Sequence, residues 1–126
     1  MLSYICTLFF LLMVSKCRAE TVWICESGDS NVLGEYVSDP DTLRDGSSVY
    51  TNQNEMSLFR NSGLWYLGNL NNWPPDTHYR CDDLDTCGYN ENIPPTDKGI
   101  WTIVKRFGKA PAPVVSSTAC SGNDEL

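Results

Sequence analysis

The sequence is poor in the residues that build metal and redox centres. Its 126 residues contain one histidine, His78, and no two of its six cysteines are spaced as Cys-x-x-Cys. Structural zinc sites group cysteine and histidine ligands at such short spacings, and thioredoxin-like redox centres are built on Cys-x-x-Cys. The sequence therefore predicts no cofactor and no metal or redox centre, and it contains no recognisable catalytic motif.

Positive charge is also scarce, because nine lysines and arginines stand against 16 aspartates and glutamates, for a net charge of −7. Nucleic-acid-binding proteins neutralise phosphates with clustered basic residues. Helices that lie on a membrane surface carry basic residues on their polar face. The sequence has neither feature, so we expect no nucleic acid as a partner and no membrane surface.

No stretch repeats its apolar residues at a helical period, whereas short runs of β-formers alternate with turn residues. Strands are predicted at residues 21–25, 34–37, 49–51, 56–60, 64–70 and 99–104, with an edge strand at 114–115. The double proline Pro74-Pro75 predicts an extended loop up to Cys81. We predict an all-β fold: a small antiparallel β-sandwich or open barrel, stapled by disulfides and built around a three-stranded meander at residues 48–70.

The second hairpin of this meander sets which side chains share a face. Residues 61–63 are predicted to form a three-residue loop with glycine at the left-handed position. Such a loop places Phe59 opposite Trp65 and Leu58 opposite Tyr66. Both faces are then apolar, so either both are covered or one is a binding surface.

The first 19 residues are predicted to be a signal peptide. The apolar run Leu2–Val14 has the length of a signal core and is too short to span a bilayer. Cys17 and Ala19 supply small residues at the −3 and −1 positions of a cleavage site after Ala19. An uncleaved anchor is the alternative. Residues 20–120 then form a single β-domain, and residues 121–126 form an exposed tail. The mature chain, residues 20–126, has a net charge of 7 − 16 = −9.

Four cysteines remain after this cleavage: Cys25, Cys81, Cys87 and Cys120. An even number in a secretory chain predicts disulfides, and four cysteines allow three pairings. We favour Cys81–Cys87, which closes a short local loop, with Cys25–Cys120, which ties the two ends of the domain together.

The chain ends in Asn123-Asp124-Glu125-Leu126. This tetrapeptide resembles the Lys/His-Asp-Glu-Leu retrieval signal of proteins of the endoplasmic reticulum lumen. With the signal peptide, it predicts residence in that lumen and a KDEL-type retrieval receptor as a partner. The alternative is an acidic tail on a secreted protein.

Several short motifs follow one another along the middle of the chain: Gly34-x-Tyr36, Val49-Tyr50-x-Asn52, Leu58-Phe59, Gly63-x-Trp65-Tyr66-Leu67-Gly68 and Trp73-Pro-Pro-x-Thr-His-Tyr-Arg-Cys81. In this order they resemble a small secreted β-domain that recurs in proteins of algae, other protists and invertebrates. The resemblance covers about residues 34 to 104. It implies a β fold and carries over no catalytic residue.

Trp73, His78 and Tyr79 are the first candidates for ligand contact. They are predicted to lie in a proline-stiffened loop, where flat aromatic rings can stack on a sugar or a peptide. Tyr66 would join them from an exposed sheet face. The alternative is that the loop folds back as a lid over the meander.

The acidic residues Asp82, Asp83 and Asp85 lie between two cysteines and are weak candidates for a calcium site. Their spacing matches no known calcium loop, so a solvated acidic loop is the competing interpretation.

We therefore interpret the chain as a non-catalytic binding module of the endoplasmic reticulum lumen. It would recognise a lumenal protein or glycan through its aromatic loop and a sheet face. One alternative is a small lumenal hydrolase that uses His78 with a carboxylate such as Asp76. The other is a secreted structural or effector protein.

Overall fold

The computed structural model describes residues 19 to 120, so the predicted signal peptide before Ala19 and the tail 121–126 lie outside the described residues. Within this range the chain forms eight strands, a 3-10 turn at Ser30–Val32 and one short helix, α1 (Leu84–Cys87). The strands are β1 (Thr21–Ile24), β2 (Gly34–Arg44), β3 (Ser47–Thr51), β4 (Ser57–Asn61), β5 (Leu64–Asn69), β6 (Asp76–Cys81), β7 (Thr102–Ile103) and β8 (Val115–Ser116).

All eight strands belong to one antiparallel sheet with the order β7-β6-β5-β4-β3-β2-β1-β8. The sheet curls into a half barrel, so the predicted all-β fold, in its open-barrel form, is confirmed. Consecutive strands are neighbours from β1 to β7, as is common in antiparallel sheets, and the connections from β2 to β6 are short. Within the described residues no helix is long and apolar enough to cross a membrane.

Two strands differ from the sequence-based prediction. β2 continues to Arg44, beyond the strand predicted at residues 34–37, because an irregularity in its pairing with β3 between Asp39 and Leu43 accommodates the extra residues. β6 occupies residues that were predicted to be an extended loop. The prolines 74 and 75 precede this strand rather than interrupt it, so they cost it no ladder hydrogen bond.

The β4–β5 hairpin has a two-residue turn, Ser62-Gly63, and not the predicted three-residue loop. Both residues are left-handed, with φ of 52° and 86°, as the tightest hairpin turns require. Asn61 therefore pairs with Leu64, and the whole register moves by one residue.

This shift changes which side chains share a face. Leu58 pairs with Leu67, whereas Phe59 pairs with Tyr66, so the predicted grouping of Phe59 with Trp65 is wrong. We call the face that carries Leu58, Trp65 and Leu67 the inner face. The face that carries Phe59 and Tyr66 is the outer face.

The inner face holds the hydrophobic core. Large side chains from β1 to β6 meet there, and residues from β8 and the segment after α1 complete the cluster. Trp65 is at its centre, 1% exposed, with its ring edge-on to Tyr50 at a centroid distance of 6.1 Å. Its indole N–H donates to the Glu91 carbonyl at 2.9 Å, so its polar atom is satisfied.

Two disulfides close the described part of the chain, as expected for a protein of an oxidising secretory or extracellular compartment. The structure joins Cys81 to Cys87 across α1 and Cys25 to Cys120 across the domain. The open side of the half barrel is filled by the segment after β7. There the Gly28 N–H donates to the Pro111 carbonyl at 2.8 Å. A Cβ at position 28 would meet a backbone oxygen at 2.0 Å, which is why this position carries glycine.

Candidate functional site

One row of side chains crosses the outer face from β2 to β6. Asp39 pairs with Val49, Phe59 with Tyr66, and Tyr66 with Arg80. The Phe59 and Tyr66 rings are stacked, with centroids 5.7 Å apart and planes 19° from parallel. Phe59 is only 3% exposed although it points away from the core cluster. The stacked Tyr66 ring supplies part of its cover.

Trp73 and Arg44 are in contact with each other. Trp73 lies in the connection between β5 and β6 and is 68% exposed, the most exposed of the large hydrophobic side chains described. The guanidinium carbon of Arg44 lies 4.8 Å from its ring centroid, a cation–π contact. One ring face is therefore occupied by the guanidinium, and the indole still presents most of its surface to solvent.

The two residues come from opposite ends of the sheet. Arg44 ends β2 next to Asp45, whose carboxylate accepts from the Gly63 N–H of the β4–β5 turn at 2.7 Å. Trp73 belongs to a loop anchored at the other end, where Asn71 donates to the Glu55 carboxylate at 2.6 Å. Because Trp73 is largely exposed and does not belong to the core cluster, their contact lies on the solvent side of the sheet.

The loop that carries Trp73 is held by its own polar groups. The Asn69 side-chain oxygen accepts from the Asn71 N–H at 2.8 Å, and the Asn72 amide donates to the Asp76 carboxylate at 3.0 Å. These bonds fix the backbone on both sides of Trp73. Asn71 and Asn72 are exposed, and Asn69 and Asp76 are half-buried.

The other two aromatic candidates lie elsewhere, on strand β6. Tyr79 is fully buried, and its hydroxyl donates to the Lys109 carbonyl at 2.6 Å. The expectation that Tyr79 contacts a ligand from a loop is therefore wrong. His78 is mostly buried, with Nδ1 2.6 Å from an Asp29 carboxylate oxygen and its ring stacked on Phe107 at 5.5 Å. The error follows from taking β6 for a loop.

His78 therefore has a carboxylate partner, but it is Asp29 and not the Asp76 suggested by sequence proximity. Asp29 is itself buried and also caps the 3-10 turn, since its second oxygen accepts from the Asn31 N–H at 3.0 Å. The pair links β6 to the loop after β1.

Two of the three acidic residues considered for calcium, Asp82 and Asp83, are already engaged within the chain. Asp82 forms an ion pair with Arg80 at 2.7 Å. Asp83 is the N-cap of α1 and accepts from the Asp85 N–H at 3.0 Å. Among residues 19 to 120, no group of three or more His, Cys, Asp or Glu side chains is arranged to hold a metal ion.

Two buried tyrosines have perturbed acidities. Burial raises the pKa of Tyr36 far above its ordinary value, and the negative charge of Asp29 adds to the shift. Burial also raises the pKa of Tyr50, with the charge of Glu20 and the hydrogen bond to it as further causes. Conversely, hydrogen bonds from Thr42 and from the Asp41 N–H lower the pKa of the exposed Asp39.

Tyr50 also lines a cavity of about 300 Å³ beside the N-terminal end of the domain. Its wall includes Glu20 and Ser38, with Leu43 and Ile93 as apolar members. No sequence pattern singles out this cavity, and none singles out Arg44 or Asp29. Each depends on contacts between residues far apart in the chain.

Comparisons with protein-family models, with curated proteins and with solved structures found no match for the chain.

Proposed function

We propose that this protein is a non-catalytic binding module of the endoplasmic reticulum lumen, and that it binds a neutral glycan. The outer-face site, formed by Arg44, Tyr66 and Trp73, makes the contact. The observation that carries this proposal is Trp73, a large aromatic side chain left 68% exposed while Arg44 and a self-bonded loop hold it in place.

A neutral sugar ring suits this site chemically. The apolar face of a pyranose stacks on an indole, and a preorganised ring loses little conformational entropy on binding. The polar groups of Asn72 and Asp76, in the same loop as Trp73, match the hydroxyls of a sugar. The net charge of −9 of the mature chain disfavours strongly anionic ligands.

The lumenal assignment rests on the two ends of the chain together with the disulfides. A cleavable signal at residues 1–19 supplies entry to the secretory pathway, and the disulfides suit its oxidising lumen. The final Asn123-Asp124-Glu125-Leu126 supplies retrieval by a KDEL-type receptor, which makes that receptor a partner of the protein.

A glycan array probed with the mature chain tests the ligand class. We expect binding to a subset of neutral glycans, and we expect Trp73→Ala to reduce it at least tenfold. Leu84→Ala is the matched control, because Leu84 is also exposed but lies on α1. Arg44→Lys should weaken binding as well, since lysine lacks the planar group that stacks on the ring.

Two outcomes would overturn this assignment. Glycan binding that survives Trp73→Ala would show that the glycan does not bind at the outer-face site. Binding to a peptide array but to no glycan would show that the ligand is a protein.

The contact between His78 and Asp29 favours a second candidate, a small hydrolase. A carboxylate on Nδ1 is the arrangement that orients a histidine as a general base. Against it, both side chains are largely buried, and Asp29 also caps the 3-10 turn. Assays with a panel of ester and glycoside substrates would test this hypothesis. Turnover abolished by both His78→Gln and Asp29→Asn, with unchanged melting temperatures, would establish the enzyme in place of the binding module.

A further inference from the structure

We propose that the Cys25–Cys120 disulfide is a site of thiol–disulfide exchange, open to a dithiol reductant while the rest of the domain stays folded. The two disulfides differ sharply in exposure. Cys25 and Cys120 are both exposed at the surface. Cys81 and Cys87 are 0% and 5% exposed and belong to the core cluster. A reductant reaches the first pair directly but reaches the second only after the core opens.

The exposed pair also has space beside it. A surface cavity of about 410 Å³ is lined by both cysteines, with Val114 and Ala119 as apolar members and Glu26 and Lys98 as charged ones. An attacking thiolate must approach one sulfur along the line of the S–S bond, so it needs such an opening. The Lys98 ammonium favours the thiolate that leaves, whereas the Glu26 carboxylate opposes it.

The exchange is balanced with a dithiol as co-reactant. One thiolate of the dithiol attacks the sulfur of Cys25 or Cys120, the S–S bond breaks, and the other cysteine leaves as a thiolate that takes up a proton. The second thiol of the reductant then attacks its own mixed disulfide and releases the first cysteine. Two electrons pass to the protein, which gains two thiols, and the dithiol becomes a disulfide.

Reduction would release the end of the domain without removing its core. β8 is attached to β1 by two residue pairs, Trp23 with Ser116 and Ile24 with Val115. Residues 117–120 beyond it are exposed. The disulfide is therefore the main attachment of this last segment. When it opens, the segment after β8 detaches first, and once β8 follows, the sheet edge at β1 becomes available for pairing.

The test is differential alkylation of the full mature chain in a dithiothreitol series, well below the melting temperature. Peptide mapping should show Cys25 and Cys120 labelled at least tenfold faster than Cys81 and Cys87. Equal labelling rates for all four cysteines would mean that reduction requires global unfolding, which would overturn the proposal. Faster labelling of Cys81 and Cys87 would overturn it as well.

A double variant, Cys25→Ser with Cys120→Ser, reports the structural consequence. Amide hydrogen exchange should accelerate in β8 and in its partners in β1 while β4 and β5 stay protected. Unchanged exchange in β8, or loss of protection throughout the sheet, would refute the local release. The alkylation rates are measured on the natural sequence, so they decide the exchange site even if this variant does not fold.

Discussion

Replacing Trp65 by alanine tests the reasoning about the core most directly. Trp65 is 1% exposed, it lies edge-on to Tyr50, and it pairs across the sheet with Arg60 and with Cys81. Truncating a buried tryptophan costs about 3–5 kcal/mol, because burial is lost and a cavity remains. The lost hydrogen bond adds little, since Arg60 still donates to the Glu91 carbonyl at 3.0 Å.

A loss of about 3–5 kcal/mol is a large part of the roughly 5–15 kcal/mol that stabilises a typical domain. Urea unfolding followed by circular dichroism should therefore show a much lower midpoint with a similar slope. Trp73→Ala is the matched control, because it removes the same side chain from an exposed position and should change stability by about 0.5 kcal/mol or less. A Trp65→Ala loss below about 1 kcal/mol would refute the placement of Trp65 at the centre of the core.

Three further predictions concern pH, calcium and retention. The free energy of unfolding should fall as the pH rises above about 10, because Tyr36 and Tyr50 ionise in the unfolded chain before they ionise when folded. Urea titrations from pH 8 to 11 measure this slope, which should be shallower for Tyr50→Phe; a flat profile would contradict the burial of both hydroxyls. Calorimetry should detect no micromolar calcium affinity, since Asp82 and Asp83 are already bonded within the chain; micromolar binding that Asp83→Asn abolishes would show otherwise. Deleting Leu126 should move the protein from cells to medium, because the receptor reads the terminal carboxylate and the adjacent acids; equal secretion of both forms would make the tail a coincidence.

The local sequence pattern is sufficient to predict most strands of the sheet. β1, β3 and β5 are rich in β-branched and aromatic residues, and β4 has an apolar centre at Leu58 and Phe59 between turn residues, so the existence of these strands could be predicted. The register of β4 on β5 could not be predicted with the same certainty. Asn61-Ser62-Gly63 fits a two-residue turn and a three-residue loop, and the choice depends on whether Ser62 adopts positive φ. That choice is settled by which face of the sheet must be buried.

The candidate site shows the same limit more strongly. An exposed tryptophan beside two prolines could be identified from sequence, since the loop signals around it are local. Its partner Arg44 could not be identified, because Arg44 lies 29 positions earlier in the chain. It also ends the part of β2 that lies beyond the strand predicted at residues 34–37. The same holds for His78, whose nearest acid in the sequence is Asp76 but whose partner is Asp29, 49 residues away. A side chain's role is thus predictable where its neighbours along the chain decide it. Where the role depends on the order of the strands, as it does for the Arg44–Trp73 contact, the strand pairing of the sheet must be known before the role can be predicted.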